Sequence, residues 1–183
     1  MIYLSKEHNI KNVLWAAYKR PSDFGDYSLS VDNTVTPFPE EVLKHFRNLH
    51  RVQGLGLNAG LHIDVFDREF NNPRESYTNA VVKRISSYDE RLIAFLDPDI
   101  GIAPASGCDF GHVTGEELRK IYESMHSGDL LMLYQHARRD RDWVAETKTE
   151  FCAALRIPRG KVHTISGLKI AKDVVFFAVE RFG

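Results

Sequence analysis

Apolar residues in this chain fall into two patterns, short continuous runs and longer stretches with helical spacing. Residues 91–96, Arg-Leu-Ile-Ala-Phe-Leu, form an uninterrupted run, as expected of a strand covered on both faces. It stops at Asp97-Pro98-Asp99, because Pro98 has no amide proton to continue a central strand. A second such run, Leu130 to Tyr134, lies in a strand predicted over residues 129–135. Residues 13–18 and 61–66 read as two more strands. Residues 162–165 and 174–179 read as a closing pair, joined antiparallel through residues 166–173.

Helices fill the intervals. Thr114-Gly115-Glu116-Glu117 has the spacing of a capping box, and the helix that follows carries Leu118, Ile121, Tyr122 and Met125 on one face, with Gly128 at its end. Residues 140–155 carry a stripe of Val144, Thr147, Phe151, Ala154 and Leu155, closed by Pro158 and Gly160. Asn72-Pro73 opens a helix bearing Tyr77, Val81, Ile85 and Tyr88, with the proline at its first position. Pro39-Glu40-Glu41 opens another with Val42, Leu43, Phe46 and Leu49. Residues 19–37 hold Pro21, Asp23, Gly25, Asp26, Asp32 and Asn33 without periodicity, which predicts a long loop. Strands alternating with helices imply one α/β domain over residues 1–183. Its expected form is three-layered and Rossmann-like: a mostly parallel sheet, helices on both faces, and the last strand antiparallel.

Composition narrows the function. The chain has 183 residues, 43% hydrophobic and 27% charged, the balance of a globular protein and not of a disordered one. A formal net charge of -1 argues against a protein that coats nucleic acid by charge alone, and leaves room for a local basic patch. No apolar run approaches the ~18 residues of a membrane helix, so no membrane partner is expected. The first eight residues carry an acid and no apolar segment, unlike a secretory signal. Cys108 and Cys152 make neither a disulfide framework nor a zinc pattern, so a reduced, cytoplasmic setting is the expectation.

In parallel sheets ligands bind beyond the carboxyl ends of the strands. That rule selects two segments. Asp97 and Asp99 offer paired carboxylates, for hydrogen bonding or for a hard cation. In Gln135-His136-Ala137-Arg138-Arg139, His136 is a candidate base or metal ligand, Gln135 a substrate contact, and Arg138, Arg139 and Arg141 candidate phosphate clamps. Asp64, near the end of the strand at 61–66, can join Asp97 and Asp99 around Mg²⁺ or Mn²⁺. Gly54-Leu55-Gly56-Leu57-Asn58-Ala59-Gly60 lacks the spacing and the following helix of a nucleotide loop, and reads as a turn. Residues 103–112 read as a lid carrying Cys108 beside His112. Cys152, Trp15, Tyr134 and Phe176 read as core.

Phe95-Leu96-Asp97-Pro98-Asp99-Ile100-Gly101 and Leu133-Tyr134-Gln135-His136-Ala137-Arg138 resemble a group of uncharacterised bacterial and phage proteins with FLDPD-G and YQH-x-x-R segments. Residues 91–181 also resemble the back half of class I S-adenosylmethionine-dependent methyltransferases. There a strand ends in Asp-Pro-Pro-Tyr or a variant, two helix–strand units follow, and an antiparallel strand closes the sheet. The resemblance implies a methyltransferase-like enzyme acting on nucleic acid or a nucleotide, with Asp97, Asp99 and His136 catalytic. S-adenosylmethionine is the cofactor the resemblance implies, and residues 19–23 contain no glycine where that family has a glycine-rich loop. Two alternatives stand beside it. One is a metal-dependent phosphodiesterase or nuclease, with Asp64, Asp97 and Asp99 as ligands, His136 as base, and Arg138 or Arg139 on the phosphate. The other is a non-catalytic phage or host interaction module.

Overall fold

A computed structural model describes residues 1–20, 28–31, 34–37, 48–105, 107–139, 141–167 and 170–183. Helix α1 (Ile2–His8) leads into β1 (Asn12–Ala16), and a separate hairpin follows from β2 (Ser28–Val31) and β3 (Thr34–Pro37). A short 3-10 turn (Leu49–Arg51) enters α2 (Val52–Asn58), then β4 (His62–Phe66), α3 (Arg74–Ile85) and β5 (Leu92–Leu96). Two-residue strands β6 (Gly101–Ile102) and β7 (His112–Val113) precede α4 (Gly115–Glu123), β8 (Leu130–His136) and α5 (Trp143–Leu155). Strands β9 (His163–Gly167) and β10 (Ala171–Glu180) finish the chain.

The main sheet has the order β4-β1-β5-β8-β10-β9. β1 pairs parallel with β4 and β5, and β5 parallel with β8. β10 enters antiparallel between β8 and β9. This is the mostly parallel α/β sheet the sequence predicts, with the expected antiparallel last strand. Alternation in each strand sends side chains to two apolar layers. Leu14, Ala94, Leu96, Leu131, Leu133, Val175 and Phe177 meet α3, α4 and α5 on one face. Val13, Ile63, Ile93, Phe95 and Met132 meet α1 and the region of α2 on the other. β5 is buried at every residue, which accounts for its continuous apolar run. Among the described residues no helix is long and apolar enough to cross a membrane.

Several local readings hold in atomic detail. Thr114 Oγ1 accepts the Glu117 amide at 3.2 Å and Glu117 Oε2 accepts the Thr114 amide at 2.8 Å, the reciprocal capping box. Leu118, Ile121, Tyr122 and Met125 are all buried. Others need correction. The glycine-rich stretch 54–60 is mostly helix, not turn. Gly56 is buried against β4, and a Cβ there would meet the Ile63 side chain at 2.7 Å, so glycine sets how closely α2 approaches the sheet. Residues 19–37, expected as loop, contain the β2–β3 hairpin. Helix α1 has no counterpart in the sequence reading. Pro73 caps α3 from outside instead of occupying its first position. Most of the helix expected from Pro39 lies outside the described residues.

Candidate functional site

The chain leaves β1 for β4 on one side, then crosses to β5 on the other, so strand order reverses between β1 and β5. A crevice forms at the carboxyl ends of two such strands. Asp97 stands there. Its amide donates to the Ala16 carbonyl at 3.0 Å, extending the β1–β5 ladder by one bond. Its side chain alternates with Leu96 and therefore joins the face of Trp15 and Phe95. The Trp15 indole Nε1–H donates to Asp97 Oδ2 at 2.9 Å. Burial pushes the Asp97 carboxyl up to about 6; the indole hydrogen bond opposes the rise and the nearby Asp99 carboxylate adds to it.

β8, the next strand, points Tyr134 and His136 to the same face as Asp97. The turn after Asp97 runs beside it, with the His136 amide donating to the Ile100 carbonyl at 2.9 Å. Burial, and then the carboxylates of Asp97, Asp173 and Asp99, push the Tyr134 phenol up, so it remains a donor among three acids. His136 Nε2 lies 3.2 Å from Asp173 Oδ2, and Nδ1 lies 3.2 Å from the Ala137 carbonyl. Both neighbours are acceptors, so the imidazole makes both hydrogen bonds only when doubly protonated. Asp99 is exposed and pairs with Arg20, at 3.3 Å. Trp15 stacks at 6.4 Å on Phe95, Phe95 lies 6.0 Å from Phe176, and Phe176 meets Tyr134 edge-on at 5.8 Å. Asp97, Tyr134 and His136 thus sit at the end of an aromatic row on one sheet face.

Arg20 also lines a cavity of about 490 Å³ with Phe70, Asn71, Asn72, Asp109 and Phe110. Its walls come from the segments after β1 and β4 and from the connection between β6 and β7. The Asp109 carboxyl is held below its usual range, chiefly by the Gly111 amide, against a smaller effect of burial and with help from His112 and Arg20.

Other expected site residues lie elsewhere. Asp64 alternates to the opposite face, where Oδ2 accepts from Arg84 Nε at 2.5 Å and from the Tyr88 hydroxyl at 2.8 Å. Burial raises its pKa, but these two hydrogen bonds together bring it below its usual value. The metal set of Asp64, Asp97 and Asp99 is therefore not assembled, and among the described residues no three His, Cys, Asp or Glu side chains converge as a metal site. Gln135 is fully buried. Its Oε1 accepts the Ile102 amide at 2.9 Å, and its Nε2 donates to the carbonyls of Ile100 at 3.1 Å and His136 at 2.8 Å. It ties β6 to β8 and has no free amide group for a substrate. Arg138 pairs with Glu150 and donates to the Ile102 carbonyl at 2.7 Å, while Arg139 is exposed. His112 bonds Asp109 at 2.7 Å, not Cys108. The exposed Cys108 instead borders a cavity of about 370 Å³ with Arg74, Thr78 and Glu117. The ends of the expected lid are tied by the β6–β7 pair.

The sequence reading missed Trp15, Arg20, Tyr134 and Asp173 as site residues. Arg20 was within reach, since the rule that selected Asp97 applies equally to the residues after β1. Asp173 had no local signal. Among the described residues after β1, Tyr18 does not fit the close approach of S-adenosylmethionine. Tyr18 has φ 47 and is buried against Phe70 and Tyr77, and the Tyr77 hydroxyl already accepts its amide at 3.0 Å. A bulky buried ring and an occupied amide stand where close approach of a ligand needs glycine and a free N–H. No protein-family model matches the chain, and neither a curated protein nor a solved structure matches it.

Proposed function

We propose that this chain is an enzyme of methyltransferase-like fold acting on a nucleotide or on nucleic acid, with Asp97 as the group that meets the base. The observation that carries this is the state of Asp97: a half-buried carboxyl at the strand-order reversal, with a single hydrogen-bond donor, Trp15 Nε1, among the described residues. A carboxylate has about four acceptor positions, so Asp97 retains capacity for the amino and ring N–H groups of a base. A pKa of about 6 puts both its forms within reach near neutral pH. The carboxyl can then accept hydrogen bonds from a base or hold a proton for it. Trp15 and Tyr134 supply planar, half-buried surface beside it for stacking. The cavity beyond Arg20 has room for the rest of a nucleotide. Because Tyr18, the described residue where a methyl donor would come close, has a buried ring and an occupied amide, no methyl donor enters the proposed chemistry.

The Trp15 indole resonance reports on this site directly. Titration with adenosine or cytidine, whose bases carry amino groups, is expected to shift it. Asp97→Asn is expected to weaken that binding about tenfold, the worth of one charge-assisted hydrogen bond. An indole signal unmoved by any nucleoside, or unchanged affinity in the variant, would remove Asp97 from base recognition.

A further inference from the structure

We infer that the flank of α5 facing β9 is a binding surface for the phosphate backbone of a single-stranded nucleic acid. This rests on the nucleotide-directed reading of the Asp97 edge and assigns its substrate to the polymer. A shallow cavity of about 440 Å³ lies there, lined by Arg141, Lys148 and Arg159 with Thr164 of β9. Asp142 is the one carboxylate among its lining residues. None of the three cations is in an ion pair among the described residues, in contrast to Arg74, Arg84 and Arg138, which are. Lys148 Nζ donates to the Val162 carbonyl at 2.7 Å and Arg159 donates to the Ala145 carbonyl at 3.4 Å. Carbonyls orient these side chains without cancelling their charge. In a chain of net charge -1, three cations outside any ion pair among the described residues, set against the single carboxylate of Asp142, give the cavity a local excess of positive charge.

The shape favours a polymer. Arg141 precedes α5 and Lys148 lies seven residues on, about 10 Å along the helix axis. Charge spread over that length suits successive phosphates better than a single one. None of the large exposed apolar side chains among the described residues lines the cavity, so the surface lacks what would enter a lipid bilayer. No aromatic ring lines it either, so contacts there are with backbone and independent of sequence. In the chain, β8 ends at His136 and is followed by Arg138, Arg139 and Arg141 ahead of α5.

Fluorescence anisotropy with a labelled single-stranded oligonucleotide of about 12 nucleotides tests this, from about 50 to 200 mM salt. The wild-type chain is expected to bind with a log–log salt slope of about -2, from three contacts at roughly 0.7 each. Changing Arg141, Lys148 and Arg159 together to Ala is expected to weaken binding at least about tenfold and flatten the slope toward zero. Arg141→Glu alone should weaken it severalfold, and it leaves the backbone bonds of Lys148 and Arg159 in place if the triple variant fails to fold. Absence of oligonucleotide binding, wild-type affinity in the folded variants, or equal affinity for polyglutamate or phosphatidylserine vesicles would overturn the assignment. Titration of mononucleosides in parallel separates the two sites. Oligonucleotide binding that needs the three cations while Asp97→Asn changes nothing would support this surface and end the base-recognition role. Asp97-dependent nucleoside binding with no gain from the oligonucleotide would do the reverse.

Discussion

Asp97 combines a folding cost with a free acceptor. Its carboxyl ionises near 3.8 in the unfolded chain and near 6 in the folded one, so between those values the folded state binds more protons. Stability therefore falls as pH rises through this window. The cost is fully present above about 6 and absent below 3.8. Asp97→Asn removes the charge and keeps an oxygen for the Trp15 indole. It is expected to stabilise the protein by on the order of 2 kcal/mol at pH 8 and by far less near pH 3.5. Urea unfolding at the two pH values measures this, and a variant no more stable at pH 8 would show the carboxyl is not strained. The same substitution is expected to weaken nucleoside binding. Gain of stability with loss of function is the signature of a group kept for its chemistry. Asp64 shows the contrary case. It too is a strand residue, but Arg84 and Tyr88 satisfy it and leave it structural.

Elements place these residues, and the placement depends on a few ties. The turn after β5 is fixed by Gln135, which reaches from β8 to bond the backbone of Ile100 and Ile102. Gly101, at φ 119, lies so close to this amide that any Cβ would collide with it. Gln135→Leu leaves the buried Ile102 amide without its partner and takes one donor from each of the Ile100 and His136 carbonyls, of which Ile100 keeps the His136 amide. The expected cost is about 2–4 kcal/mol by denaturant unfolding, with faster hydrogen exchange at the Ile102 amide. Unchanged exchange at Ile102 would show that β6 holds its position without the glutamine. The position of the YQH glutamine at the end of a buried strand predicts a substrate contact. Alternation decides otherwise: Gln135 falls on the inward, α5-facing side, while Tyr134 and His136 fall on the side of Asp97. The same parity separates Asp64 from Asp97 and disperses the metal set expected from three carboxylates near strand ends.

On the scale of the whole molecule, a six-stranded sheet lies between two apolar layers, and β5 is buried at every residue near its centre. Amides of β5 are expected to exchange only through global unfolding, and those of the edge strand β9 through local opening. Hydrogen-exchange mass spectrometry distinguishes them; β5 exchanging as fast as β9 would contradict the layered core. The described helices divide unevenly, with α3, α4 and α5 on one face and α1 with α2 on the other. The crevice at the carboxyl edge and the basic flank of α5 are both products of this arrangement. Neither follows from a net charge of -1.

From the sequence alone came the α/β class, a segment for each of the six strands of the main sheet with the last one antiparallel, and the placing of Asp97 and His136 at strand ends. These follow from local signals: apolar runs, a capping box, and a proline that stops a strand. The tertiary structure alone decided which neighbours those residues acquired. It set Trp15 against Asp97, Asp173 against His136 and Arg20 against Asp99, and it turned Gln135, Arg138 and Asp64 to structural roles. Strand register and the choice of sheet face fix such pairings, and both depend on contacts between segments far apart in the chain.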